Sequence, residues 1–299
     1  MAPATRAEEL VEGEILGVIV KVSLLVFVVS SMLAMGLSLT VGEIVDPLRS
    51  VRVVLIALAA NFVAVPLLGW GIGELLSLDE GLAIGLTIMA TAAGAPFLPK
   101  LAAAADGDLA FSVGLMVLLM VVTVAYMPLV LPVLISGVEV DPWAIASSLI
   151  FLMLLPLAIG LLVRWRYEAT AAGLQPLMSQ TSTIAIAVLL AAGVIVNFDS
   201  IVDLIGTGGF VAIVLFLAAA GVVGYVGGGN DPGTRSVLGL GTAQRNLSAA
   251  LVVGGQNFAD TPGVITFIIV AGIVGLIVLL PAAGEIGRRT NPEAAAQPA

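Results

Sequence analysis

Apolar residues in this chain come in long unbroken runs, such as Val211 to Val226, separated by short polar or Gly/Pro-rich turns. About 20 residues of helix cross a hydrocarbon core of about 30 Å, and these runs are long enough to do so. The two-residue alternation over roughly 10-residue segments that marks a membrane barrel is absent. The turns place spans near 15–40, 51–76, 81–105, 108–136, 143–163, 178–196, 207–227, 234–256 and 261–283. The pattern predicts an all-α integral membrane protein of about nine transmembrane helices, with one transmembrane domain over 15–283. Residues 1–14 are acidic and lack the basic start of a cleaved signal peptide, so they read as an exposed N-terminal tail, and 284–299 as a C-terminal tail.

Composition agrees: 60% of residues are hydrophobic, 10% are charged and the mean hydropathy is +1.18, against about 25% charged in ordinary soluble domains. Charge then orients the spans. With nine of them, Arg49, Arg52, Arg164, Arg166, Arg235, Arg288 and Arg289 fall on one side, whereas the opposite loops carry acidic but no basic residues and only Arg6 and Lys21 fall toward that side. Basic loops stay cytoplasmic, so the N-terminus is expected outside and the C-terminus in the cytoplasm of a multi-pass protein of the cell membrane. A net charge of −9 argues against a nucleic-acid partner, and the absence of Cys and His removes disulfides, thiolate chemistry and zinc sites. No nucleophile, acid/base pair or metal set converges in the spans, so an enzyme is not expected.

The third and eighth spans are interrupted. The third holds Gly94-Ala95-Pro96-Phe97-Leu98-Pro99-Lys100, where two prolines remove backbone donors and disfavour helix before them. Pro99 suits the start of a second half-helix, whose N-terminus carries partial positive charge. The eighth holds Gly241-Thr242-Ala243-Gln244-Arg245-Asn246, which places Gly241 and Thr242 at a break midway through the membrane. The two lie five spans apart, an odd number, so they run in opposite directions. That is the plan of an inverted repeat with discontinuous helices, with halves of about 15–136 and 143–283. A buried basic residue in membrane marks a functional site. Lys100 admits two roles, lining that site or snorkelling to the interface. Arg245 lies too deep to snorkel and either binds an anion or caps backbone carbonyls of a neighbouring helix, with Asn61, Gln244 or backbone as its partner. Gly69-x-x-x-Gly73 in the second span fits close helix packing.

The chain resembles the bile acid:sodium symporter superfamily, carriers of organic anions built from two inverted repeats with crossing broken helices. The resemblance rests on Met35-Gly36-Leu37-Ser38-Leu39 followed by an acidic pair and Pro47. It continues in Ala60-Asn61-Phe62 with Pro66, Gly107-Asp108-Leu109-Ala110-Phe111-Ser112, Pro156 with Gly160, and the Gln/Asn-rich centre of the eighth span. Sodium-coupled members place Ser-Asn in the first break and Glu-x-Gly-x-Gln-Asn in the second. Here Leu98-Pro99-Lys100 stands in the first, and in the second Gly241 replaces the acid, Arg245 replaces the amide and Asn246 is retained. Ser112 matches a hydroxyl near one sodium site, whereas Met116 stands where a hydroxyl belongs.

The resemblance and its departures together imply a carrier of an amphipathic organic anion. Both sodium sites are expected to be lost, with Lys100 and Arg245 as tethered cations in their place and no cofactor. Asn61, Lys100, Ser112, Gln244, Arg245 and Asn246 are the expected substrate-binding set, and Gly94, Pro96, Pro99, Gly241 and Thr242 the helix-break set. The competing expectations are a sodium- or proton-coupled symporter and a transport-inactive membrane receptor.

Overall fold

In the computed structural model, residues 6–135, 141–196 and 198–290 are described, and among them every regular element is helical. Seven helices are long and apolar enough to cross a membrane. They are α1 (Arg6–Ser38), α2 (Val51–Leu75), α4 (Leu109–Leu134), α5 (Pro142–Arg166), α6 (Glu168–Val196), α7 (Gly209–Gly227) and α9 (Val264–Thr290). The two interrupted spans each form a pair of half-helices, α3a (Glu80–Thr91) with α3b (Leu98–Ala104), and α8a (Pro232–Ala243) with α8b (Leu247–Asn257).

The boundaries shift where polar sequence turns out to be helical. Residues 6–14 belong to α1, α6 begins ten residues before its expected start at 178, and α9 continues to Thr290. In α6 the added turns carry Gln175 and are followed by Ser179, Ser182 and Thr183, a polar stripe that faces an internal cavity. Polar side chains at helical spacing on one face are compatible with a long amphipathic helix.

Two layers meet at that cavity. One is α1 with α5 and α6, which pack mainly on one another, and the other gathers α2, α7, α9 and the half-helices. The first layer is held by backbone contact at Gly36 and Gly160. A Cβ at Gly36 would lie 2.3 Å from the Leu157 carbonyl, and one at Gly160 would lie 2.7 Å from the Leu33 carbonyl. Without aqueous solvent to drive association, such close approach of small residues is how membrane helices gain packing energy. Of the expected pair in α2 only Gly69 works this way, against Ala90, whereas Gly73 faces open space.

Two helices contain single π turns, Ala60–Ala64 in α2 and Ile150–Leu154 in α5. Each precedes a proline, Pro66 and Pro156, whose missing N–H and bulky ring disturb the α-helical ladder just upstream.

Candidate substrate site at the crossing of two broken helices

The break in α3 runs through residues 92–97 and turns at Gly94, whose φ of +80° is accessible to glycine and strained for any other residue. Pro96 lies within it and Pro99 in the first turn of α3b, as the two-proline pattern predicts. In α8 the break falls later than expected. Helix α8a continues through Gly241 and Thr242 and ends at Ala243, so only Gln244, Arg245 and Asn246 separate the half-helices. Gly241 serves packing instead, with the Leu98 side chain 2.8 Å from where a Cβ would sit.

The two breaks fasten each other. The Asn246 N–H donates to the Ala92 carbonyl at 2.8 Å, and its Nδ2 donates to the Gly94 carbonyl at 2.9 Å. Its Oδ1 meanwhile accepts the Ala249 N–H at 3.0 Å, capping α8b. From α4, Thr123 Oγ1 accepts the Ala93 N–H at 3.0 Å and donates to the Ala93 carbonyl at 3.1 Å. Backbone freed by the break is thus satisfied inside protein, the condition for its survival at membrane depth.

Arg245 occupies the centre of this crossing, 4% exposed. Its Nε donates to the Met89 carbonyl at 3.0 Å and its Nη2 to the Ala90 carbonyl at 2.8 Å, both in the last turn of α3a. Nη1 donates to the Thr242 carbonyl of α8a at 3.2 Å and to Asn61 Oδ1 at 2.8 Å. Four of the five guanidinium N–H groups are therefore bound. A helix C-terminus carries about half a negative charge, so the negative ends of α3a and α8a together offset the buried cation where no carboxylate is at hand.

Asn61 is aimed at this point by the π turn of α2. Its Nδ2 donates to the Ala57 carbonyl at 3.0 Å and to Thr242 Oγ1 at 3.2 Å. Pro66 leaves the Phe62 carbonyl without its usual i+4 donor, and the Tyr126 hydroxyl donates to it at 2.5 Å, with the Phe62 and Tyr126 rings 4.8 Å apart. Tyr126 and Thr123 were not among the residues expected from the sequence. The orphaned carbonyl four residues before Pro66 is the signal for Tyr126.

Between the layers lies a cavity of about 610 Å³, in the range that holds small organic ligands. Its lining is mostly apolar, with Met35, Phe97 and Met116 prominent, and two side chains in it ionise, Lys100 and Arg245. The Lys100 ammonium sits 5.3 Å above the centre of the Phe97 ring. Gln244 and Ser248 also border the cavity, both deeply buried, and neither Gln244 Oε1 nor Ser248 Oγ has a hydrogen-bond partner among the described residues. Ser248 belongs to the first turn of α8b, where the leading N–H groups have no acceptor within the helix.

Of the six expected binding residues, Lys100, Gln244 and Arg245 therefore line the cavity. Asn61 and Asn246 are fully buried behind it and hold the crossing together. Ser112 stands apart, buried in the first turn of α4 with its Oγ donating to the Leu109 carbonyl at 2.7 Å.

Paired discontinuous helices around a cavity within a helical membrane bundle are an architecture that recurs among multi-pass membrane transporters. The chain belongs to the sodium bile acid symporter family, whose sequence profile matches residues 24–204. It is 26% identical over 195 residues to a protein of Arabidopsis thaliana called probable sodium/metabolite cotransporter BASS3, chloroplastic. The protein of the same name from Oryza sativa subsp. japonica is 25% identical over 195 residues. Each match takes in 65% of this chain and 45% or 46% of the relative, so the chain spans less than half the length of the relatives it matches.

Proposed function

We propose that this protein is a sodium-independent carrier of an amphipathic organic anion, working by alternating access between the α1–α5–α6 layer and the crossing. The single observation that carries the reading is Arg245, a covalently tethered cation hydrogen-bonded to the ends of two half-helices. A bound sodium ion would supply the same electrostatic link between them, but it would need oxygen ligands, whereas the neighbouring carbonyls are taken up by the guanidinium. We read the halves 15–136 and 143–283 as inverted repeats, and the charge bias of the loops supports a cytoplasmic C-terminus.

The anionic end of the substrate fits against the first turn of α8b. The helix N-terminus and the free Ser248 hydroxyl offer donors there, and the Lys100 ammonium adds positive charge elsewhere on the cavity wall. The apolar wall beyond accepts the rest of the molecule. Gln244 Oε1 is an unpaired acceptor for a hydroxyl or amide on the substrate.

A second reading, sodium-coupled uptake, is favoured by the names of the family and of the relatives. Thermal unfolding of the purified protein separates the two. It is measured with taurocholate and a set of shorter alkyl carboxylates and sulfonates, in sodium and in potassium salts. Ligand at 100 times its Kd adds about 2.7 kcal/mol to the native state. We expect one or more anions to raise the Tm equally in both salts, and Lys100→Ala and Ser248→Ala to shrink the shift. A shift that requires sodium establishes the second reading, and binding without flux in liposomes makes the protein a receptor.

A further inference from the structure

The positive charge at the crossing is part of the chain, which sets what a transport cycle can move. We infer that the carrier transfers the substrate's charge uncompensated, and is therefore an electrogenic exporter of the anion across a membrane that is negative inside. The inference rests on the sodium-independent reading.

A tethered charge that crosses the field with the loaded carrier comes back with the empty one, so over a full cycle it contributes nothing. The net charge moved is that of the substrate plus any ion that boards and leaves. A boarding cation needs a site. The oxygens at the crossing that could form one, the Met89, Ala90 and Thr242 carbonyls and Asn61 Oδ1, already accept from Arg245, which among the described residues is the one buried side chain that carries charge. The cavity has no acidic lining, and its two ionisable groups, Lys100 and Arg245, are both basic. Such a wall attracts the anion and repels a co-transported metal cation. A monoanion then moves one negative charge per turnover.

The membrane potential acts directly on that charge. At 100 mV it is worth about 2.3 kcal/mol per elementary charge, which corresponds to roughly a fifty-fold concentration ratio at steady state. An inside-negative potential therefore expels the anion, and accumulation inside needs either an opposing gradient or exchange for another anion. Lys100 is the one group on the wall that offers a different balance, because an ammonium that loses its proton on one side and regains it on the other would carry a compensating charge.

The test uses the purified full chain in liposomes, with radiolabelled taurocholate and a shorter alkyl sulfonate as probes in sodium-free media. Potassium gradients with valinomycin set the potential in either sign. The expected result is anion accumulation in vesicles made positive inside, approaching fifty-fold at 100 mV, faster efflux from vesicles made negative inside, and no effect of a pH gradient at zero potential. Lys100→Arg keeps the charge but not the exchangeable proton; as a change in the binding site it is expected to alter the rate of uptake, while the steady-state accumulation ratio at a given potential stays that of the wild type. Accumulation that follows the pH gradient, ignores the potential and disappears in Lys100→Arg overturns this inference while leaving the sodium-free reading in place. Accumulation that occurs only with a sodium gradient overturns the reading beneath it. Absence of flux for every probe overturns both.

Discussion

Arg245 shows how a single side chain can satisfy several constraints at membrane depth. A charge there costs roughly 2.5–3.5 kcal/mol even on a lenient scale, and its planar fork answers that cost by reaching carbonyls on two half-helices and an amide on a third helix. Lysine has the charge without the fork. Arg245→Lys should therefore lower the Tm by several degrees, since each buried carbonyl left unpaired costs about 1–3 kcal/mol. A Tm equal to wild type in thermal unfolding would show that charge alone holds the crossing. Tyr126→Phe removes one donor, to the Phe62 carbonyl, and keeps the ring, so a smaller loss of about 1 kcal/mol is expected. Asp231, the cap of α8a, gives a pH signature. The Thr234 hydrogen bonds hold its carboxyl below the ordinary aspartate value of 3.8. Its contribution is thus full above that value and fades as pH falls through the lower folded-state pKa. The destabilisation by Asp231→Ala, about 1 kcal/mol for a lost cap, should be constant from pH 7 to pH 5 and shrink in more acidic melts.

The two broken helices were legible in the sequence to different degrees. Pro96 and Pro99 announce the first break because proline cannot donate, and the structure breaks there. The second break has no proline, so Gly241 looked like its hinge, whereas the helix runs on and opens at Gln244. What opens it is tertiary: Asn246 bonds to Ala92 and Gly94, and Arg245 to Met89 and Ala90, residues some 150 positions earlier in the chain. A depth argument identified Arg245 as buried and needing partners, but backbone carbonyls leave no mark in a sequence, so its partners could be named only as a choice. The polar start of α6 carries no span signature in the sequence, since the cavity it faces exists only after folding. Gly94→Ala tests the first break. The new methyl would lie 2.2 Å from the Met120 backbone nitrogen, in a φ region hostile to a side chain. We expect poor yield of folded protein on size-exclusion chromatography, and wild-type yield would contradict the geometry.

At the scale of the whole molecule, the cavity is a boundary between two differently built layers. In the first layer α1 and α5 are joined backbone to backbone at Gly36 and Gly160, and in the other the half-helices are joined by polar bonds through the crossing. The surface between the two layers is apolar and hydroxyl-bearing. The layered plan also bears on how the protein is made. Helix α1 leaves the ribosome before its main partners, α5 and α6, which follow only after α2, α3 and α4. At about 5–20 residues per second that is a wait on the order of ten seconds. During it the serines of α1 that will border the cavity have no partner helix, so the first wall of the site waits in the bilayer for a chaperone, a lipid or the rest of its own chain.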